Sequence, residues 1–76
     1  MVELLEWIAR RLVDEPDAVR VEKEERPDAI VFHLHVAPDD VGKVIGKQGR
    51  TARSIRTILA TAGAVRRKRV VLEILE

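Results

Sequence analysis

The feature that most constrains this chain is a pair of glycines three residues apart, Gly46 and Gly49, set between two apolar patterns of helical period. Before them, Val41, Val44 and Ile45 supply the apolar positions of a short helix. After them, Ile55, Ile58, Leu59 and Ala62 follow the i, i+3, i+4, i+7 rule of an amphipathic one. Glycine admits backbone angles that other residues avoid, so the sequence predicts a break at Gly46-Lys47-Gln48-Gly49 and two helices joined by a tight turn. The first helix opens at Pro38-Asp39-Asp40, where an aspartate can cap free amides and both carboxylates sit at the positive end of the dipole. The second runs from Arg50 to Ala62, with Gly63 as its C-terminal cap.

Each of these helices has one apolar face and needs something to bury it. The remaining segments provide it. Leu5, Ile8, Ala9 and Leu12 make a third helical stripe over Val2 to Val13, which ends before Pro16. Ala18 to Lys23 and Ala29 to Ala37 read as strands, the second alternating strictly, with Ile30, Phe32, Leu34 and Val36 on one face and Val31, His33, His35 and Ala37 on the other. Glu24-Glu25-Arg26-Pro27-Asp28 is the polar turn between them, and Val70 to Leu75 is a third, β-branched strand. The predicted fold is α+β in the order α-β-β-α-α-β, a three-stranded sheet with helices packed on one face. Trp7 and Phe32, the only aromatic residues, are both assigned to the core, which leaves no exposed ring for a stacking platform.

The chain has 76 residues and no cysteine, so the expectation is a single domain over 1–76 that rests on packing alone and has a marginal core. No apolar run approaches the roughly 18 residues of a membrane span, and Glu3 and Glu6 interrupt anything resembling a signal peptide, which points to a cytoplasmic protein. The net charge of +1 conceals a strong asymmetry. Residues 1–40 carry five basic and eleven acidic side chains, whereas residues 41–72 carry nine basic and none acidic. A polyanion would dock on the second half. Catalysis finds no support: Gly42 and Gly46 are too close for a phosphate-binding P-loop, and Lys47 is followed by Gln48 where that motif needs serine or threonine. His33 and His35, two apart on one strand, have no cysteine and no carboxylate pattern in the sequence to complete a metal site, so no metal and no cofactor is expected.

The stretch from Val41 through Gly42, Lys43, Val44, Ile45, Gly46, Lys47, Gln48, Gly49, Arg50, Thr51, Ala52, Arg53 and Ser54 to Ile55 resembles the signature of the KH domain, an RNA-binding module whose GXXG loop clamps about four nucleotides. The element order resembles its type II, bacterial arrangement, and the length resembles the small single-KH proteins of bacteria. Physical chemistry supports the loop independently. Glycines at 46 and 49 let a phosphodiester approach the backbone, the first amides of the following helix around Gly49 to Ala52 lack intrahelical acceptors, and Lys47, Gln48, Arg50 and Arg53 surround the point with polar and charged groups. Lys43, one turn earlier, adds to the same array. The resemblance implies a base-binding groove floored by Gly42, Ile45 and Ala52, single-stranded RNA as partner, a chaperone-like or regulatory role, self-association into a homodimer, and a larger Jag-type KH protein as a second partner. Two other functions use related features. A helix-turn-helix on duplex DNA also joins two helices by a glycine turn, but GKQG has glycine at both ends and the arginines cluster near the start of the second helix. A protein-interaction module on the same fold would have no need of an intact GKQG or of an acid-free second half.

Overall fold

The structure, a computed structural model, describes residues 1–62 and 68–76. Six elements follow in the predicted order: α1 (Val2–Leu12), β1 (Arg20–Glu25), β2 (Ala29–His35), α2 (Val41–Ile45), α3 (Arg50–Ala62) and β3 (Arg69–Leu75). β2 lies at the centre of the sheet, antiparallel to β1 and parallel to β3. A parallel pair cannot be closed by a hairpin, so the α2–α3 unit serves as the crossover between β2 and β3. The glycine loop is the joint between the two helices of that crossover. β1 starts two residues later than its valine spacing suggests, because Pro16–Ala18 folds into a 3-10 turn closed by the Val19 amide on the Pro16 carbonyl (3.1 Å). Gly63, Arg66 and Arg67 lie outside the described residues.

The alternation of β2 shows in its burial only from Phe32 on, where His33 and His35 are half-buried between buried neighbours; Ala29 and Val31, on the other face, are buried too. Ile30, Phe32 and Leu34 are fully buried and meet Leu5 and Ala9 of α1, Val44 of α2, and Ile55 and Leu59 of α3 in one cluster. All three helices therefore cover the same face of the sheet. Trp7 is a correction: it is 59% exposed, with the Arg11 guanidinium over its ring at 4.8 Å, and it takes no part in the core. At 100° per residue, Trp7 lies 200° from Leu5, on the opposite side of α1 from the buried stripe. Ile58, at the margin of its own stripe, is likewise exposed at 46%. The sheet's open face still offers no Phe, Tyr or Trp platform, since Phe32 points into the core and Trp7 lies on α1; the rings on that face are the imidazoles of His33 and His35.

On that open face the register brings carboxylates to both histidines. Glu22 faces His33 across β1 and Glu73 faces it across β3. His33 Nδ1 lies 2.8 Å from Glu73 Oε1 and its Nε2 lies 3.3 Å from Glu24 Oε1, while His35 Nε2 is 2.9 Å from Glu22 Oε1. Both partners of His33 are acceptors, and only the imidazolium donates from both ring nitrogens. Its pKa is accordingly raised, first by the bond to Glu24 and then by that to Glu73, against an opposing effect of burial. A raised folded-state pKa gives stability that is complete below the unfolded value of about 6.5 and is lost as pH climbs through the folded one. The partners are exposed, so the effect is modest. We expect the urea midpoint to fall between about pH 6 and about pH 9, and His33→Gln to remove most of that decline. An equal decline in the variant would show that His33 is not its source.

Candidate nucleic-acid interface

The turn between α2 and α3 is built from three left-handed residues. Gly46 has φ 76°, Gln48 φ 57° and Gly49 φ 74°. Glycine meets this geometry without strain, and at Gly46 there is a second reason for it. A Cβ there would lie 2.2 Å from Thr51 Oγ1 and 2.7 Å from Thr51 Cβ. The loop hydrogen bonds refine the expectation for its amides: Gly49 N–H donates to the Gly46 carbonyl (3.2 Å) and Arg50 N–H to the Lys47 carbonyl, so these two are already committed. The amides of Lys47 and Gln48 make no backbone hydrogen bond among the described residues. They are the loop donors left for an anion, in the kind of turn whose successive N–H groups form anion-binding concavities. The Lys47 and Gln48 side chains are exposed, and Gln48 Oε1 accepts a bond from Arg50 Nη2 at 3.4 Å.

The loop is held in place from the other end of α2. A helix of five residues has little stability of its own, so its orientation depends on tertiary anchors. Asp40 is the principal one. Its carboxylate does not cap α2, as the local pattern suggested. It reaches back to the segment after α1, where the amides of Asp14 and Glu15 donate to Oδ1 (3.2 Å) and Oδ2 (3.1 Å). The side chain is almost fully buried at 1% exposure. Burial pushes the carboxyl pKa up, but the two amides and the Lys43 ammonium together outweigh it and hold it below the usual range. Lys43 completes the anchor by binding both Asp40 (3.2 Å) and Asp14. Its ammonium is thus paired on the α1 side, whereas Lys47, Arg50 and Arg53 have no carboxylate partner among the described residues.

Beside the loop, α3 and β3 enclose a cleft of about 320 Å³ lined by Gly49, Ala52, Arg53, Arg56 and Leu72. Ala52 and Arg53 were expected near the ligand, whereas Arg56 and Leu72 were not. Arg56 follows Ala52 and Arg53 at i+4 and i+3, so helical spacing alone could have found it. Leu72 could be placed only once β3 was known to flank α3. Gly42 and Ile45 sit on the exposed side of α2 and do not line this cleft; a Cβ at Gly42 would meet nothing within 4 Å. β3 is an edge strand, and its other edge is open beside α3. Arg69 N–H bonds to the Asp28 carbonyl and the Leu75 carbonyl accepts from Val36, both on the β2 side. By the period of two, the main-chain groups of Val70 and Leu72 point to the free edge.

No helix among the described residues is long and apolar enough to cross a membrane. The sequence model of the KhpA/KhpB KH domain matches residues 2–74. The RNA-binding protein KhpA of Clostridium acetobutylicum is 52% identical over 75 residues, covering 99% of this chain and 100% of that protein. KhpA of Aquifex aeolicus is 53% identical over 74 residues, covering 97% and 94%, and KhpA of Halalkalibacterium halodurans 46% over 76, covering 100% of both. With a helix–GKQG–helix unit packed beside an edge strand, and a match that runs nearly from end to end, this chain belongs to the KhpA/KhpB family of KH-domain proteins.

Proposed function

We propose that this chain is a cytoplasmic single-stranded RNA-binding protein, one KH domain over residues 1–76, and not an enzyme. The observation that carries the reading is the loop: two amides without backbone partners, flanked by Lys47, Arg50 and Arg53, none of which has a carboxylate partner among the described residues. Phosphates of the strand meet the Lys47 and Gln48 amides and these three cations. Bases lie against Ala52 in the α3–β3 cleft and against Gly42 and Ile45 on α2, and the free edge of β3 offers them main-chain donors and acceptors. A chaperone or regulatory role accompanies this binding. The helix-turn-helix reading is weaker, because the face of α3 that would enter a major groove runs beside β3 and closes the cleft. Self-association, with a larger Jag-type KH protein as a further partner, is supported by the apolar surface left outside the core at Leu4, Trp7 and Ile58. Sedimentation at about 100 micromolar is expected to show a dimer, and an 8.6 kDa species alone would remove that part of the reading.

The salt dependence tests the phosphate contacts directly. Three cations on three phosphates, at roughly −0.7 per phosphate for single strands, give a slope of about −2 for log affinity against log salt. Arg53→Ala should make the slope shallower by about 0.7 and weaken all sequences about equally, since a phosphate contact carries no base information. A slope near zero in a four-nucleotide titration would remove the loop as the anion site.

A further inference from the structure

Apart from Arg11, over the Trp7 ring, and Arg20, at the start of β1, the lysines and arginines of the described residues fall into two populations. Arg10, Lys23, Arg26 and Lys43 each sit in an ion pair, with Glu6, Glu25, Glu24, and Asp14 with Asp40, respectively. Lys47, Arg50, Arg53, Arg56, Lys68 and Arg69 have no carboxylate partner among the described residues. Three of the six surround the loop. The other three line a second, larger cleft of about 860 Å³ between the C-terminal half of α3 and the start of β3, together with Thr57, Thr61 and the small side chain of Ala60. No acidic residue is among the described residues that line it. The two clefts share Arg56 and Leu72, so a chain lying in the first passes directly into the second. Three cations without carboxylate partners along one groove, Arg56 and Arg69 exposed and Lys68 half-buried, make sense for a polyanion that reaches them.

We propose that the bound strand continues past the loop into this second cleft, where Arg56, Lys68 and Arg69 hold the phosphates of further nucleotides, so that the footprint exceeds the four nucleotides of the loop site. The proposal rests on the RNA-binding reading above and extends it. Thr57 and Thr61 do not serve as donors to this strand in their present rotamers, since their hydroxyls donate to the Arg53 and Thr57 carbonyls. The cations carry the contact.

Unstructured oligouridylates of four and eight nucleotides, titrated by fluorescence anisotropy at several salt concentrations, decide it. A four-nucleotide strand has three internucleotide phosphates and cannot exceed a slope of about −2, whereas six contacts on the longer strand give about −4. Lys68→Ala with Arg69→Ala should make the eight-nucleotide slope shallower by about 1.4 and leave four-nucleotide binding unchanged, which also reports that the fold and the loop site are intact. Equal slopes for the two lengths, or a double variant that binds the longer strand with its slope unaltered, would overturn the second cleft as a binding site while leaving the loop reading in place. Failure of both oligonucleotides to bind would overturn the loop reading and the extension together.

Discussion

Lys47→Asp combined with Gln48→Asp is expected to weaken RNA binding at least about 100-fold while the protein stays folded. The two substitutions change the charge beside the phosphates by three units. Each unit is worth roughly 1 kcal/mol at contact distance even in full solvent, so the sum of about 3 kcal/mol corresponds to two orders of magnitude in affinity. Folding should barely register the change. Both side chains are exposed, Lys47 has no ion-pair partner to lose, and aspartate tolerates the left-handed conformation that Gln48 occupies at φ 57°, ψ 26°. The amides that would cradle the phosphate remain, but the new carboxylates compete for the same position. Affinity unchanged in a filter-binding titration, in a variant with native circular dichroism, would mean that the strand does not lie on this loop.

The parts of this design that depend on local pattern were legible in the sequence. The strict alternation of Ile30, Phe32, Leu34 and Val36 identified the face of β2 that meets the helices, and the apolar stripe that follows Gly49 identified α3, which starts at Arg50. What the sequence hid lies in contacts between distant segments. Asp40 has the look of a helix cap because an aspartate before an apolar helix usually is one. Its actual partners, the amides of Asp14 and Glu15, are 26 and 25 residues away and are brought to it only when α1 packs beside α2. The same holds for the glutamates around His33, which come from β1 and β3 and show no spacing relative to the histidine until the register is set. Lys43 follows from Asp40: a cation one turn before the loop reads as a phosphate contact until two carboxylates are found holding it. Trp7 is different, since its position 200° from Leu5 already placed it off the buried stripe. Only the general preference of tryptophan for the interior argues for the core, and at this position helical geometry overrides it.

A single methyl group should have opposite effects on folding at two glycines of this site. At Gly46, alanine must adopt φ 76° and place its Cβ 2.2 Å from Thr51 Oγ1, 2.7 Å from Thr51 Cβ and 3.0 Å from the Thr51 amide nitrogen. With ψ at 174° this positive-φ backbone is essentially confined to glycine and costs about 1–3 kcal/mol, and the overpacking costs about 1–3. A domain of this size has on the order of 4–11 kcal/mol of total stability, so Gly46→Ala is expected to lower the melting temperature by more than about 10 °C. At Gly42 the backbone is helical and nothing lies within 4 Å of a new Cβ, so alanine should stabilise α2 by about 1 kcal/mol and raise the melting temperature by about 4–8 °C. Nothing in the fold itself therefore calls for glycine at position 42. If the bare backbone there is kept for the close approach of a base, Gly42→Ala will melt higher and bind RNA roughly tenfold more weakly, a loss of about 1.4 kcal/mol. Paired melting curves and anisotropy titrations read both quantities on one preparation. A Gly42→Ala protein that is more stable and binds RNA undiminished would place the bases elsewhere, leaving the loop to hold phosphates and the α3–β3 cleft alone to read sequence.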